Sequence, residues 1–148
     1  MIMLFTDERY VHLNVHEHQF CINVEQIQDV LQTPTLTYIP LSKNYICGLM
    51  NLRGRIVTAI DVGIKLGCES VLKENDKGMT IIVEKDNELY GLIFNQVGEV
   101  LTFNSSKIDK NLNTIDARWR QYASGICLLN EKIVVVLDVA TLLTSPDS

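Results

Sequence analysis

The sequence is poor in what catalysis and nucleic-acid binding usually require. It contains three histidines and one tryptophan in 148 residues. No G-x-x-x-x-G-K or G-x-G-x-x-G run is present to cradle phosphates, and no serine sits in a G-x-S-x-G elbow. A chain this short without such loops is a poor ATPase. Positive charge is in deficit too. Thirteen Lys and Arg face eighteen Asp and Glu, leaving −5, the opposite of the basic stripe that releases phosphate counterions. No apolar run approaches the roughly 18 residues of a membrane span. The opening Met1–Phe5 is too short for a signal segment and runs into Asp7-Glu8. Cys21, Cys47, Cys68 and Cys127 form no C-x-x-C pair, which argues against a zinc knuckle or a thioredoxin-type site. With no export signal they are expected to be reduced and mostly buried. The chain reads as cytoplasmic, and no catalytic residue, metal or cofactor is expected, with a triad assembled in space and a metal site on the histidines as the open alternatives.

What is present is a duplication. Residues 48–67 (GLMNLRGRIVTAIDVGIKLG) and 125–144 (GICLLNEKIVVVLDVATLLT) align at an offset of 77 with seven identities: Gly48/Gly125, Leu52/Leu129, Ile56/Ile133, Val57/Val134, Asp61/Asp138, Val62/Val139 and Leu66/Leu143. Upstream, 20–32 matches 90–102 in residue type at an offset of 70. Two copies at this period imply two like subdomains of one domain spanning 10–144, with repeat halves near 10–75 and 76–144. Apolar residues at 47% and charged residues at 21% are ordinary for a globular core.

The patterning is mainly β. Tyr10–Val15 and Phe20–Val24 read as a hairpin around polar His16–Gln19. Gly48–Leu52 and Arg55–Ile60 are joined at Arg53-Gly54, and Met79–Glu84 and Leu89–Phe94 at Asp86-Asn87. Val100–Phe103 reads as a strand, and Ser124–Leu129 with Lys132–Leu137 as the last hairpin. Short helical turns are expected over Glu25–Leu31, over Lys43–Cys47 capped by Ser42, over Val62–Leu66 capped by Asp61, over Arg118–Tyr122, and over Val139–Leu143. Short strands at about ten-residue spacing, in two pseudo-repeats, predict two small five-stranded β-barrels packed together.

Two constellations stand out. His12, His16 and His18 share even numbering and would share a strand face, so a zinc, copper or nickel site is the chemistry to weigh against exposed polar residues at a hairpin tip. The other is Arg53. The sister copy has Asn130 there, so the fold does not require a cation at this turn. Asp29 closes the expected helical turn of the same half and is the candidate partner for Arg53, since a guanidinium can bond a carboxylate through two parallel hydrogen bonds. Because shared apolar positions look like scaffold, the unshared turn Asn51-Leu52-Arg53-Gly54 is the candidate for function.

The run Gly48–Val57 followed by Ile60-Asp61-Val62 resembles the N-L-R-G signature of the CheW-like domain family. Phe20–Val30, Gly91–Val97 and Gly125–Val139 resemble its other elements, in order, so the resemblance covers essentially 10–144. It implies two intertwined five-stranded β-barrels and no enzymatic activity. It implies a chemotaxis adaptor that couples the helical hairpin tip of a chemoreceptor to the regulatory domain of a CheA-type histidine kinase, with weak self-association in rings as a further contact. No nucleic acid and no membrane insertion are implied. By motif, Arg53 resembles the family's coupling arginine and Asp29 the acidic partner it pairs with. Gly48, Asn51 and Gly54 shape that surface, and Val97 and Val100 resemble positions of a receptor-contact groove. The chain departs from the usual pattern at Asp29 for glutamate, Thr58 for proline, Gly63 for arginine and Asn95 for aspartate. Alternatives are the same adaptor in a non-flagellar pathway such as twitching motility, and a barrel holding a small ligand or metal through its histidines. An oligonucleotide-binding barrel is remote, given the acidic balance and the single Trp119.

Overall fold

The computed structural model describes residues 7–40 and 42–144. Its ten strands are β1 (Asp7–Val15), β2 (His18–Asn23), β3 (Asp29–Gln32), β4 (Ile46–Leu52), β5 (Arg55–Asp61), β6 (Met79–Lys85), β7 (Glu88–Phe94), β8 (Gln96–Asn104), β9 (Ala123–Leu129) and β10 (Lys132–Leu137). Two short helices, α1 (Val62–Lys65) and α2 (Val139–Thr144), follow β5 and β10, where Asp61 and Asp138 cap them. The strands form two five-stranded sheets. The first has the order β8-β1-β2-β10-β9 and the second β3-β6-β7-β5-β4. No helix among the described residues is long and apolar enough to cross a membrane.

The duplication explains both orders at once. The sequence offsets pair β2 with β7, β3 with β8, β4 with β9 and β5 with β10; by position β1 then corresponds to β6. Substituting each strand by its counterpart turns one sheet order into the other. Each copy therefore gives its first hairpin to the sheet built on its sister, and the exchange creates the parallel contacts β10–β2 and β5–β7. Each sheet draws strands from both sides of residue 75, so the two are intertwined.

A large apolar core joins the sheets. Leu13, Val15, Phe20, Ile22 and Leu137 of the first pack with Val57, Ile81, Leu92, Ile93 and Phe94 of the second, together with Leu66 just after α1 and Leu142 of α2. The first sheet also curls around a smaller core of Tyr10, Cys21, Cys127, Val134 and Val136, where the Tyr10 and Phe103 rings stack at 4.4 Å. β10 is buried on both faces, with Val134 and Val136 in the small core and Val135 and Leu137 in the large one. The four cysteines are free, Cys21 and Cys127 buried and the other two half-buried.

Three expectations are corrected. The sheets are not closed barrels: β3 and β4, like β8 and β9, remain end strands. Single backbone bridges, Thr37 to Leu49 and Asp109 to Ile126, span the two seams. The helical turn expected over Glu25–Leu31 is only a 3-10 turn at Val24–Gln26, after which β3 begins at Asp29. There the backbone pairing of Asp29–Gln32 with Met79–Ile82 prevails over the apolar spacing. No helix forms over Lys43–Cys47 either. Ser42 donates its hydroxyl to the Ile39 carbonyl instead of capping, and β4 starts at Ile46.

Candidate partner-binding site

The site is a seam. Asn51 lies opposite Ile56 and Leu52 opposite Arg55, which leaves Arg53-Gly54 as a two-residue turn. Its φ values of 50° and 85° are those of the mirror-image turn that suits strand twist. The sister turn Asn130-Glu131 repeats the geometry with φ of 52° and 67°. Asn is well suited to that first left-handed position and Arg is not, so Arg53 holds a conformation that the fold does not select it for. Asn51 closes the turn by accepting the Gly54 N–H on Oδ1 at 3.0 Å.

From this turn the Arg53 guanidinium reaches across the open end of the second sheet to β3. Nη2 donates to Asp29 Oδ2 at 3.0 Å, a single contact and not the two-pronged pairing the residue types allow. Asp29 Oδ1 accepts the N–H of Val30 at 2.8 Å. Arg53, followed by that backbone N–H, holds the Asp29 carboxyl below its usual range. The arginine side chain is 74% exposed, so most of its hydrogen-bonding capacity faces solvent.

Gly48 serves the same seam differently. Its φ is +148°, and a Cβ there would stand 2.7 Å from the Thr37 carbonyl oxygen. The missing side chain lets the segment after β3 lie against β4 and exchange two 2.8 Å hydrogen bonds with Leu49. Gly54 has open space around it and is needed only for the turn.

Val97 and Val100 are not part of this seam. Both lie on β8, at the end of the other sheet. Val97 packs partly against the main core, while Val100 is exposed, as is its counterpart Val30 beside Asp29. Ile56 and Ile133, identical in the two copies, are not core scaffold: both are exposed, Ile56 by 63%. Ile56 stands opposite Asn51, whereas Ile133 stands opposite Leu128, which is 72% exposed. The same hairpin thus presents a polar-apolar pair in one copy and an apolar pair in the other. Tyr38, beside the Thr37–Leu49 bridge, is exposed as well. These apolar residues were within reach of the alternation pattern, because Ile56 and Val57 cannot both face one core.

The histidines diverge. His12 bonds Gln19 across the first hairpin at 2.9 Å. His16, in the left-handed turn, reaches the Glu69 carbonyl with Nε2 and gives its backbone N–H to Asn95. His18 sets its ring edge-on against Trp119 at 4.8 Å. Among the described residues no cluster of His, Cys, Asp or Glu is arranged to hold a metal. Gly63, where the family pattern has arginine, is pinned by close packing: a Cβ there would fall 2.1 Å from the Glu69 carbonyl oxygen.

The CheW-like domain matches residues 9–147. The chain belongs to the CheW-like family. The CheW-like fold also accounts for the structural comparison. The crystal structure of the scaffolding protein TtCheW from Thermoanaerobacter tengcongensis superposes with a TM-score of 0.81 at 24% identity, covering 93% of this chain and 88% of that one. Among curated CheW-like sequences, a probable chemotaxis protein CheW of Rhizobium etli is 22% identical over 142 residues, covering 96% of this chain and 91% of its own length. The chemotaxis protein CheW of Thermotoga maritima is 24% identical over 125 residues, covering 84% and 80%.

Proposed function

We propose that this CheW-like chain is a non-catalytic chemotaxis adaptor in the cytoplasm, coupling the helical hairpin tip of a chemoreceptor to the regulatory domain of a CheA-type histidine kinase. The observation that carries the reading is the Arg53–Asp29 contact, made at the one turn where the two copies differ most. Its mechanism is binding alone. Arg53, preset by Asn51 and Gly54 and aligned by Asp29, offers its solvent-facing donors to a partner carboxylate or carbonyl. Exposed Val30, Ile56 and Tyr38 supply apolar and aromatic contact area around it. On β8, Val100 offers a separate apolar contact for a helix face, and Val97 supports it from the core side. Weak ring contacts with further CheW-like domains would use the end strands, whose outer edges carry single backbone bridges at Leu49 of β4 and Ile126 of β9.

The test is a pull-down of a CheA-type kinase fragment and a receptor tip fragment by wild type and Arg53→Glu, read together with kinase coupling. Both are expected to fall in the variant. Undiminished binding and coupling would remove Arg53 from the mechanism.

A further inference from the structure

The repeat sets two thiols where its sister copy has none. At the offsets of 77 and 70, Cys127 corresponds to Met50 and Cys21 to Gly91. Met50 Cε stands 3.2 Å from the point a Gly91 Cβ would occupy, so these two positions meet across the intervening β5. In the first sheet the same positions bring Cys21 of β2 and Cys127 of β9 together over β10, inside the small core with Tyr10, Val134 and Val136. The fold requires a thiol at neither place. Cys21 is fully buried, whereas Cys127 lines a cavity of about 580 Å³ at the seam where the Asp109–Ile126 bridge joins the segment after β8 to β9. Ile126, Leu128 and Ile133 give this cavity apolar walls, and Lys107 and Thr114 stand at its exposed rim. Asp109, also in the lining, turns Oδ1 to the Asn111 N–H at 2.8 Å. The Cys21 thiol, donating to the Cys127 sulfur, holds Cys127 below the usual thiol range against the opposing effect of burial. The other thiols are more exposed but pushed the opposite way: burial, then Asp61, takes Cys47 up to about 12, and burial raises Cys68.

We propose that Cys127 is a covalent modification site for a small α,β-unsaturated carbonyl compound, admitted by this cavity. The volume lies within the usual range for small-molecule sites, and the apolar walls suit the hydrocarbon body of such a compound. In the addition the Cys127 sulfur attacks the β-carbon and a C–S bond forms. The C=C π pair shifts towards the carbonyl oxygen as an enolate, and the thiol proton ends on the α-carbon. No oxidant or reductant is consumed. Lys107 and Thr114 are donors for the carbonyl oxygen, where negative charge develops. The site is independent of the Arg53 surface.

The experiment treats the reduced full chain with 2-cyclohexen-1-one near neutral pH and follows each cysteine by peptide mass spectrometry. Cys127 is expected to react about tenfold or more faster than Cys47 and Cys68, the reverse of their exposures. Cys21→Ala should slow it several-fold, and Cys21→Ser, which keeps a donor, should restore most of the rate. Lys107→Gln at the exposed rim, which does not threaten the fold, should slow the enone several-fold. It should leave unchanged the reaction of Cys127 with methyl methanethiosulfonate, which has no carbonyl to activate. The double variant Cys21→Gly with Cys127→Met installs the sister copy's pair and should lose the fast phase altogether. Cys127 reacting no faster than Cys47 and Cys68, or an enone rate unchanged in Lys107→Gln and in folded Cys21→Ala, would overturn the proposal.

Discussion

Replacing Gly48 by alanine would test whether the seam of the second sheet depends on a missing side chain. At φ +148° an L-residue is strained, which costs about 1–3 kcal/mol. The new methyl would also stand 2.7 Å from the Thr37 carbonyl oxygen, a backbone atom that cannot rotate away. The Thr37 segment must then retreat, weakening its two 2.8 Å hydrogen bonds with Leu49, each contributing about 0.5–1.5 kcal/mol. A destabilisation of about 3 kcal/mol follows, which for a domain of this size lowers Tm by about 6–12 °C. Urea denaturation should show a lower midpoint at unchanged slope. Amide exchange at Leu49 should quicken. Gly54→Ala is the control. With φ +85° and open space around it, it carries only the left-handed penalty of about 1–2 kcal/mol. If Gly48→Ala cost no more than Gly54→Ala, the close-approach argument would be refuted.

The other predictions are more compact. Arg53→Asn, borrowing the sister copy's residue, should leave thermal stability nearly unchanged while reducing partner capture; a large fall in Tm would mean that the arginine serves the fold. In the same variant the Asp29 carboxyl, now held low by Arg53, should titrate at higher pH by NMR. Its folded value is depressed, so its contribution to stability is present above the ordinary carboxylate range and is lost as pH falls through the folded value. An unmoved midpoint would argue against the pair in solution. Asp61→Ala should cost about 3 kcal/mol or more, because Asp61 is buried and orphans three donors when removed. Asp138→Ala, which loses one cap contact to Ala140 N–H at a less buried position, should cost about 1 kcal/mol; equal losses in chemical denaturation would contradict this ranking. Trp119→Phe removes the 3.0 Å bond from Nε1 to the Leu66 carbonyl, and about 1–3 kcal/mol should be lost in the same assay.

The internal repeat and the alternation of apolar residues were enough to find the hairpins, the turns at Arg53-Gly54 and Asp86-Asn87, and the cap at Asp61. Each of these depends on neighbours within a few residues, where turn and cap chemistry act. Failures came where long-range pairing decided the outcome. Asp29–Gln32 has helical spacing, yet it is a strand because β6 offers it a ladder. Ile56 and Ile133 are identical between the copies, yet they face outward because Val57 and Val134 take the buried side. The histidines share a numerical parity but not a face, since His16 sits in a left-handed turn that breaks the alternation.

For the site, sequence alone singled out Arg53 by contrast with Asn130, and Asp29 by its place in the same half. It also determined that there are two copies of one unit, and that local structure is mostly strand. What only the tertiary structure decided is who pairs with whom. Each copy lends its first hairpin to the other, a choice set by burial of a shared core that no single repeat can complete. That exchange leaves β3 and β4 as the two ends of one sheet, and so brings Asp29 and Arg53, 24 residues apart, to 3.0 Å across an open seam.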